Sequence, residues 1–524
     1  MKKESKENGI TLIALVITIV LLIILATITI NNAFGENGLI EKTKQAKQMT
    51  EEAVKNEQQQ LNSLFDSFLN ITEDNNVNEV YVAQIDNTKY TTLSSAIEAV
   101  PAGEKTEINI IRDFEQTTVA QIPEEKNVVI DLQNYNIILT TGSILNNGNL
   151  ELKSSNQVDI GKITIQNNEN SGINNKGNLS ISSGIYESVS NNNAITNSGT
   201  GTVTISGGRI IGNNIENEKY PAIWNETSGT IIVDGGTLEA TTTTLIYNNN
   251  GGNIFINGGT LKSKEDATID NNENGNVVVT DGYLQSTENT TLLNSSNGTI
   301  EVKGGQIVGA TSQENARATI RNFADGEIIV DGGVITGTEE RAIYNDKNGN
   351  VTIKNGIIQS TKVNSIGNYG AGTITISGGE IRGIESSDLS YPTIWNNSSG
   401  KIIVNGGLVD ASIGDGVSTA INNAGSGEII ITAGTVKSTN YAINNSGTGT
   451  VTLGTDDMNI STTTPEIISS NSSKTIVGQK GLILNFFDGI IKGGGIQASL
   501  TTIVPEGKNY YLDNSKELYE TTIK

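Results

Sequence analysis

The sequence predicts an all-β solenoid, a parallel β-helix of about fourteen coils preceded by a long N-terminal helix. Three observations predict it. A hydrophobic–Gly unit recurs from about residue 140 onward, as in TIIVDGGTLEA, NIFINGGTLKS, TIEVKGGQIVG and KIIVNGGLVDA. Within each unit the apolar residues alternate with period two, the spacing of a half-buried strand. The composition fits short strands and tight turns: 58 Gly but only 8 Phe and 2 Trp in 524 residues, with Ile, Val and Leu left to fill the core.

The repeat has a fixed half and a variable half. Its last turn glycine falls at Gly208, Gly236, Gly259, Gly282, Gly305, Gly333, Gly356, Gly379, Gly407 and Gly434. Eleven residues before each stands an Asn, from Asn197 and Asn225 through to Asn396 and Asn423. That spacing never varies, while the step from one Gly to the next is 23, 27 or 28 residues. Length variation is therefore confined to the stretch between Gly and the next Asn. The long insertions at residues 212–220, 309–317, 383–391 and 411–418 all fall there, and are expected on one side of the stack.

Each unit supplies three short strands. Ile231 and Val233, then Leu238 and the small Ala240, then Ile246 two residues before Asn248, mark the inward positions of one coil. Strands this short bury a face only when coils stack, which places Ile on Ile, Gly on Gly and Asn on Asn. Stacked Asn amides can bond along the axis, and a turn Gly supplies the positive φ that other residues avoid. A larger copy is visible too. Tyr220-Pro221-Ala222-Ile223-Trp224-Asn225 returns as Tyr391-Pro392-Thr393-Ile394-Trp395-Asn396, 171 residues or seven coils later.

The coils occupy residues 125–492. Residues 71–124 read as linker and N-terminal cap, where Leu93, Ala96, Ile97 and Val100 predict a short amphipathic helix, and residues 493–524 read as the C-terminal cap. The repeated Asn, Gly and Ile positions resemble those of right-handed, pectin-lyase-like β-helices, which implies a right-handed coil. YTTLSSAIEAV followed by EINIIRDF resembles the start of many bacterial β-helical surface proteins.

Residues 1–9 carry Lys2, Lys3 and Lys6, and residues 10–30 are an unbroken apolar run. As a helix that run spans about 31 Å, one bilayer core, and the lysines keep its N-terminus cytoplasmic. It is too long for an ordinary signal peptide. Residues 31–70 follow as a stalk helix. Gly9 followed by Ile10-Thr11-Leu12-Ile13 resembles the leader of type IV prepilins, which implies cleavage after Gly9 by a prepilin peptidase, methylation of Ile10, and other pilin subunits as partners. The family's usual Phe and Glu at the first and fifth mature positions are replaced by Ile10 and Ala14, which puts filament assembly in question. The alternative is a single-pass membrane anchor without processing.

Charge and residue types narrow the function. With 34 basic and 57 acidic residues the net charge is −23, which repels nucleic acid. There is no His and no Cys, so Ser–His–Asp and Cys–His catalysis, thiolate metal sites and disulfides are excluded. No cofactor or metal is expected. A β-helical polysaccharide lyase or hydrolase would need clustered carboxylates; Asp234 and Asp331 are four coils apart, about 19 Å, and Asp410 and Asp415 sit on one insertion. The expected role is non-catalytic: a surface-displayed adhesin or structural component presenting a glycan- or protein-binding surface. The candidate ligand contacts are Trp224, Tyr247, Tyr344 and Trp395, each one residue before a ladder Asn and so directed outward. The competing role for these rings is packing under the neighbouring insertion. Ile232, Phe255 and Val278 form a second outward apolar strip.

Overall fold

The computed structural model describes residues 79–503, 508–509 and 522–523, apart from 168–171, 213–219, 312–317, 385–390, 414–416, 456–464, 471–473 and 498–499. Segments 1–9, 10–30 and 31–70, with Gly9 and Ile10, lie outside the described residues, and no helix among the described residues is long and apolar enough to cross a membrane. What is described is the expected all-β solenoid, with parallel strands stacked coil on coil.

A representative coil runs Thr230–Val233, Thr237–Ala240, Ile246–Asn248. First and second strands of all coils belong to one 31-stranded sheet, and third strands form a separate 15-stranded sheet from Val119–Ile122 to Ile476–Gly478. In four coils the first and second strands run on without a break, as in Glu327–Gly337 and Ile402–Ile413. The stack thus has fifteen third strands, one more than the repeat count suggested, because the first of them, Val119–Ile122, precedes residue 125.

Register explains the core. Ile223, Ile246, Ile269, Leu292, Ile320, Ile343 and Ile366 lie opposite one another in successive third strands, all buried. Burying such a side chain contributes on the order of 2 kcal/mol, and each contributes only because its coil neighbours cover it.

The asparagine after this Ile is also inside. Asn146, Asn175, Asn197, Asn225, Asn248, Asn271, Asn294, Asn322, Asn345, Asn368, Asn396, Asn423 and Asn445 are at most 1 % exposed. Each Nδ2 donates to the Oδ1 of the next, at 2.7 Å from Asn225 to Asn248 and 2.8 Å from Asn248 to Asn271. From Asn197 onward the second Nδ2 hydrogen goes to the carbonyl four residues on, for example Asn271 to Gly275 at 2.7 Å and Asn294 to Gly298 at 2.7 Å. That carbonyl always belongs to a glycine, since a Cβ at Gly298 would collide with Asn271 Nδ2 and the Gly275 carbonyl. Turn glycines Gly208 to Gly434 hold φ between +72° and +109°, the left-handed region.

The N-terminal end is closed as expected by a short helix, Leu93–Ala99, with Leu93, Ala96 and Ile97 buried. Thr92 Oγ1 accepts from Ser95 N at 3.0 Å, and Lys126 Nζ donates to the Ile97 and Glu98 carbonyls at 2.7 and 2.8 Å, capping both ends of the helix.

Replacing Asn271 with Ala strands the Asn294 Oδ1 acceptor and removes a donor to Gly275 in a dry interior. The expected cost is about 2–4 kcal/mol, read as a lower urea midpoint. Asn276, whose exposed side chain donates to Asn253 Oδ1 at 3.2 Å, is the control, with an expected change within about 0.5 kcal/mol.

Candidate functional site

Inward Ile and inward Asn leave one side chain between them, and pleating sends it out. In the third-strand sheet this outward column reads Trp224, Tyr247, Asp270, Leu293, Arg321, Tyr344, Gly367, Trp395. Trp224 therefore stands opposite Tyr247 in the adjoining coil. Tyr344 and Trp395 are two coils apart with Gly367 between them. The four residues singled out from the sequence form two groups rather than one site.

The second group has a richer setting than its two rings. Residues after the ladder Asn form a parallel column of Phe323, Asp346 and Tyr369. Tyr344 and Tyr369 meet edge to face, centroids 4.9 Å apart at 71°, and Tyr369 meets Trp395 at 6.2 Å. The Arg321 guanidinium lies 4.6 Å from the centre of Phe323 and 5.7 Å from that of Tyr344. Arg341 lies 5.2 Å from Tyr344 and 5.4 Å from Tyr369, and its Nη2 donates to Tyr369 Oη at 3.0 Å. Such contacts are attractive in proportion to their desolvation. Gly367 is the residue that admits Arg341, since a Cβ there would come within 2.9 Å of Arg341 Cδ and Nε.

Exposure divides the cluster. Tyr344 is 8 % exposed while Phe323 is 46 % exposed, and Arg321, Arg341, Tyr369 and Trp395 are half-buried. Arg321 Nη2 pairs with Asp346 Oδ2 at 2.5 Å. Arg341 has no carboxylate partner among the described residues; its hydrogen bond is to the Tyr369 hydroxyl. Arg321 Nε, Arg341 Nε and Trp395 Nε1 are buried donors without an acceptor, and Trp224 Nε1 repeats this in the other group. Burial, then the Asp346 carboxylate, pushes the Tyr344 hydroxyl up to about 12.

Trp224 and Tyr247 have a different setting. Asn272 Nδ2 donates to Tyr247 Oη at 2.9 Å. Beside Tyr247, burial raises the Asp270 carboxyl to about 6, against the opposing effect of the Ser295 hydroxyl that donates to it. The preceding insertion residues 213–219 and 385–390 lie outside the described residues, so the proposed packing of these loops on Trp224 and Trp395 is not visible.

Arg321, Phe323, Arg341 and Tyr369 were missed in reading the sequence. Arg321 occupies the same position, one before the ladder Asn, as the four rings that were noticed; Phe323 and Tyr369 occupy the position one after it. The signal is in the repeat register, but it lies at two positions and includes a cation as well as rings.

Two further surfaces carry apolar or polar clusters. Ile232, Phe255 and Val278 lie side by side on first strands, with Phe255 36 % exposed. A shallow polar groove of about 340 Å³ near the N-terminal end is lined by Lys105, Asn149, Glu151, Asn178 and Ser180, with Lys105 paired to Glu151 at 2.8 Å. Asp234, one of the two turn aspartates, accepts from Asn257 Nδ2 at 2.8 Å. No group of three acidic residues positioned to hold a metal occurs among the described residues.

Of the buried acids Asp131, Glu340, Asp410 and Asp488, Glu340 alone has a carboxylate oxygen that is buried and unpartnered among the described residues. Glu340 is 4 % exposed; its Oε1 accepts from Ala310 N at 2.8 Å, and its Oε2 is buried without a partner. It enters where the inward residue is Gly309, whose Cβ would overlap the carboxyl. Burial raises this group to about 8, with the neighbouring Glu339 carboxylate adding to the effect and the Ala310 N–H opposing it.

Comparison with protein-family models, with curated proteins and with solved structures finds no match to this chain.

The raised Glu340 value has a signed consequence. The folded state holds the proton more tightly than the unfolded chain, so stability is full below the ordinary value of 4.5 and falls as pH rises toward about 8. Glu340→Gln should match the parent at low pH and exceed its urea midpoint at pH 8. Parallel pH profiles for the two proteins would refute burial of an ionisable carboxyl there.

Proposed function

We propose that this is a surface-displayed, membrane-anchored protein of type IV pilin-like organisation, whose right-handed β-helix acts as a non-catalytic adhesive or structural module. One observation carries the reading: a basic leader ending in Gly9, followed by an apolar run over residues 10–30, is joined to a long solenoid. An anchor of that kind keeps the leader cytoplasmic and sends the rest outward. A stack cross-bonded at every coil then presents side chains at regular intervals, which suits weak contacts repeated along a surface.

The lack of His and Cys and the four-coil separation of Asp234 and Asp331 support a binding role over polysaccharide cleavage. Partners under this reading are a prepilin peptidase, other pilin subunits, and a glycan or protein on the facing surface. Ala14, where prepilins have Glu, favours a second version in which the chain stays a single-pass surface protein and joins no filament.

Mass spectrometry of the cell-associated protein separates the two versions. A mature chain beginning at methylated Ile10 is the expected result and would establish processing. An intact Met1 would remove the pilin element. Failure of intact cells to display residues 125–492 to an antibody or protease would remove the display role as well.

A further inference from the structure

We propose that the outer face of the third-strand sheet around Phe323, Arg341, Tyr369 and Trp395 is a binding site for a short, sparsely charged oligosaccharide: about three sugar rings carrying one acidic group. The inference adds a ligand to the display role but is read on the purified chain, so it stands or fails separately from where that chain is located.

The charge comes first. On a chain of net charge −23, cations are expected to find carboxylates. Arg321 does so through Asp346. Arg341 does not, although it is half-buried, held between two tyrosines and given room by Gly367. A fixed guanidinium without a carboxylate partner among the described residues is a receptor for one anionic group such as a carboxylate or sulfate.

The rings come second. Phe323 is 46 % exposed, and Tyr369 and Trp395 continue from it toward the C-terminal end. Aromatic faces flanked by hydrogen-bonding groups are suited to sugar rings.

Dimensions select among occupants. From Arg321 to Trp395 is three coil steps, about 14 Å, and the two outward columns are about 7 Å apart. The face is therefore on the order of 100 Å², far below the roughly 800 Å² per partner of a stable protein interface. It matches about three sugar rings. A polymer charged on every ring fits poorly, because among the described residues of this face one guanidinium lacks a carboxylate partner, and Asp346, paired with Arg321, adds a negative charge.

The test titrates the full chain, in mild detergent, with 3′-sialyllactose (three rings, one carboxylate), lactose and trigalacturonate, by calorimetry and tryptophan fluorescence. The expected order is sialyllactose at least about tenfold tighter than either of the others, as for one charge-assisted contact. Arg341→Gln should reduce sialyllactose affinity to the lactose level. Phe323→Ser, at an exposed position, should weaken sialyllactose while leaving the unfolding midpoint unchanged, which separates loss of a ligand contact from loss of fold. No binding of sialyllactose, equal binding of sialyllactose and lactose, trigalacturonate binding as tightly as sialyllactose, or unchanged affinity in either variant would overturn the proposal.

Discussion

The amide chain that runs up the interior from Asn146 to Asn445 is the constraint on which the rest of this structure depends. A primary amide buried in an aliphatic core costs several kcal/mol unless its groups are satisfied. Here the next coil accepts one donor hydrogen and, over most of the array, a glycine carbonyl four residues on accepts the other. Both conditions fix backbone as well as side chain. The third strand must end on the ladder, and the following turn must bring a carbonyl back to it at close range. From Asn197 to Asn423 the spacing between ladder Asn and turn Gly is constant. The corner joining second to third strands carries no such obligation, and there the insertions occur.

Much of this was legible in the sequence. Ten ladder asparagines could be read because their spacing to a turn glycine is constant, and an inward amide has one economical way to be satisfied in a stack. The remaining three, Asn146, Asn175 and Asn445, lie toward the ends of the array, where the spacing rule fails. From Asn175 to Gly184 and from Asn445 to Gly454, both glycines at positive φ, there are nine residues rather than eleven. The glycines four residues after the ladder Asn were equally regular but were not recognised, because close approach between coils is a property of the stack and not of any one turn.

The binding face was less legible for a related reason. Strand alternation says which residues face outward, so Trp224, Tyr247, Tyr344 and Trp395 could be placed on one column. It says nothing of long side chains that arrive from a corner. Arg341 begins outside that column, and reaches Tyr344 and Tyr369 because Gly367 leaves the space. Likewise Glu340 has the sequence signature of a solvated turn acid beside Glu339, yet its carboxyl is taken inward where Gly309 provides no side chain. In both cases a glycine in a neighbouring coil determines where a charged group goes.

Every amide bond of the ladder runs in the same sense, from Nδ2 of one coil to Oδ1 of the next. The first Oδ1, that of Asn146, is left without a donor because Ile122 stands where a preceding Asn would be. Each internal junction therefore offers the same donor to the same acceptor, whichever two coils meet there. A block of whole coils can be spliced in at any junction, and the broken bond is re-formed at both new seams. The seven-coil copy that repeats the Tyr-Pro and Ile-Trp-Asn residues is the kind of length change such a lattice tolerates, and the length of the solenoid becomes a quantity that gene duplication can adjust in steps of about 5 Å.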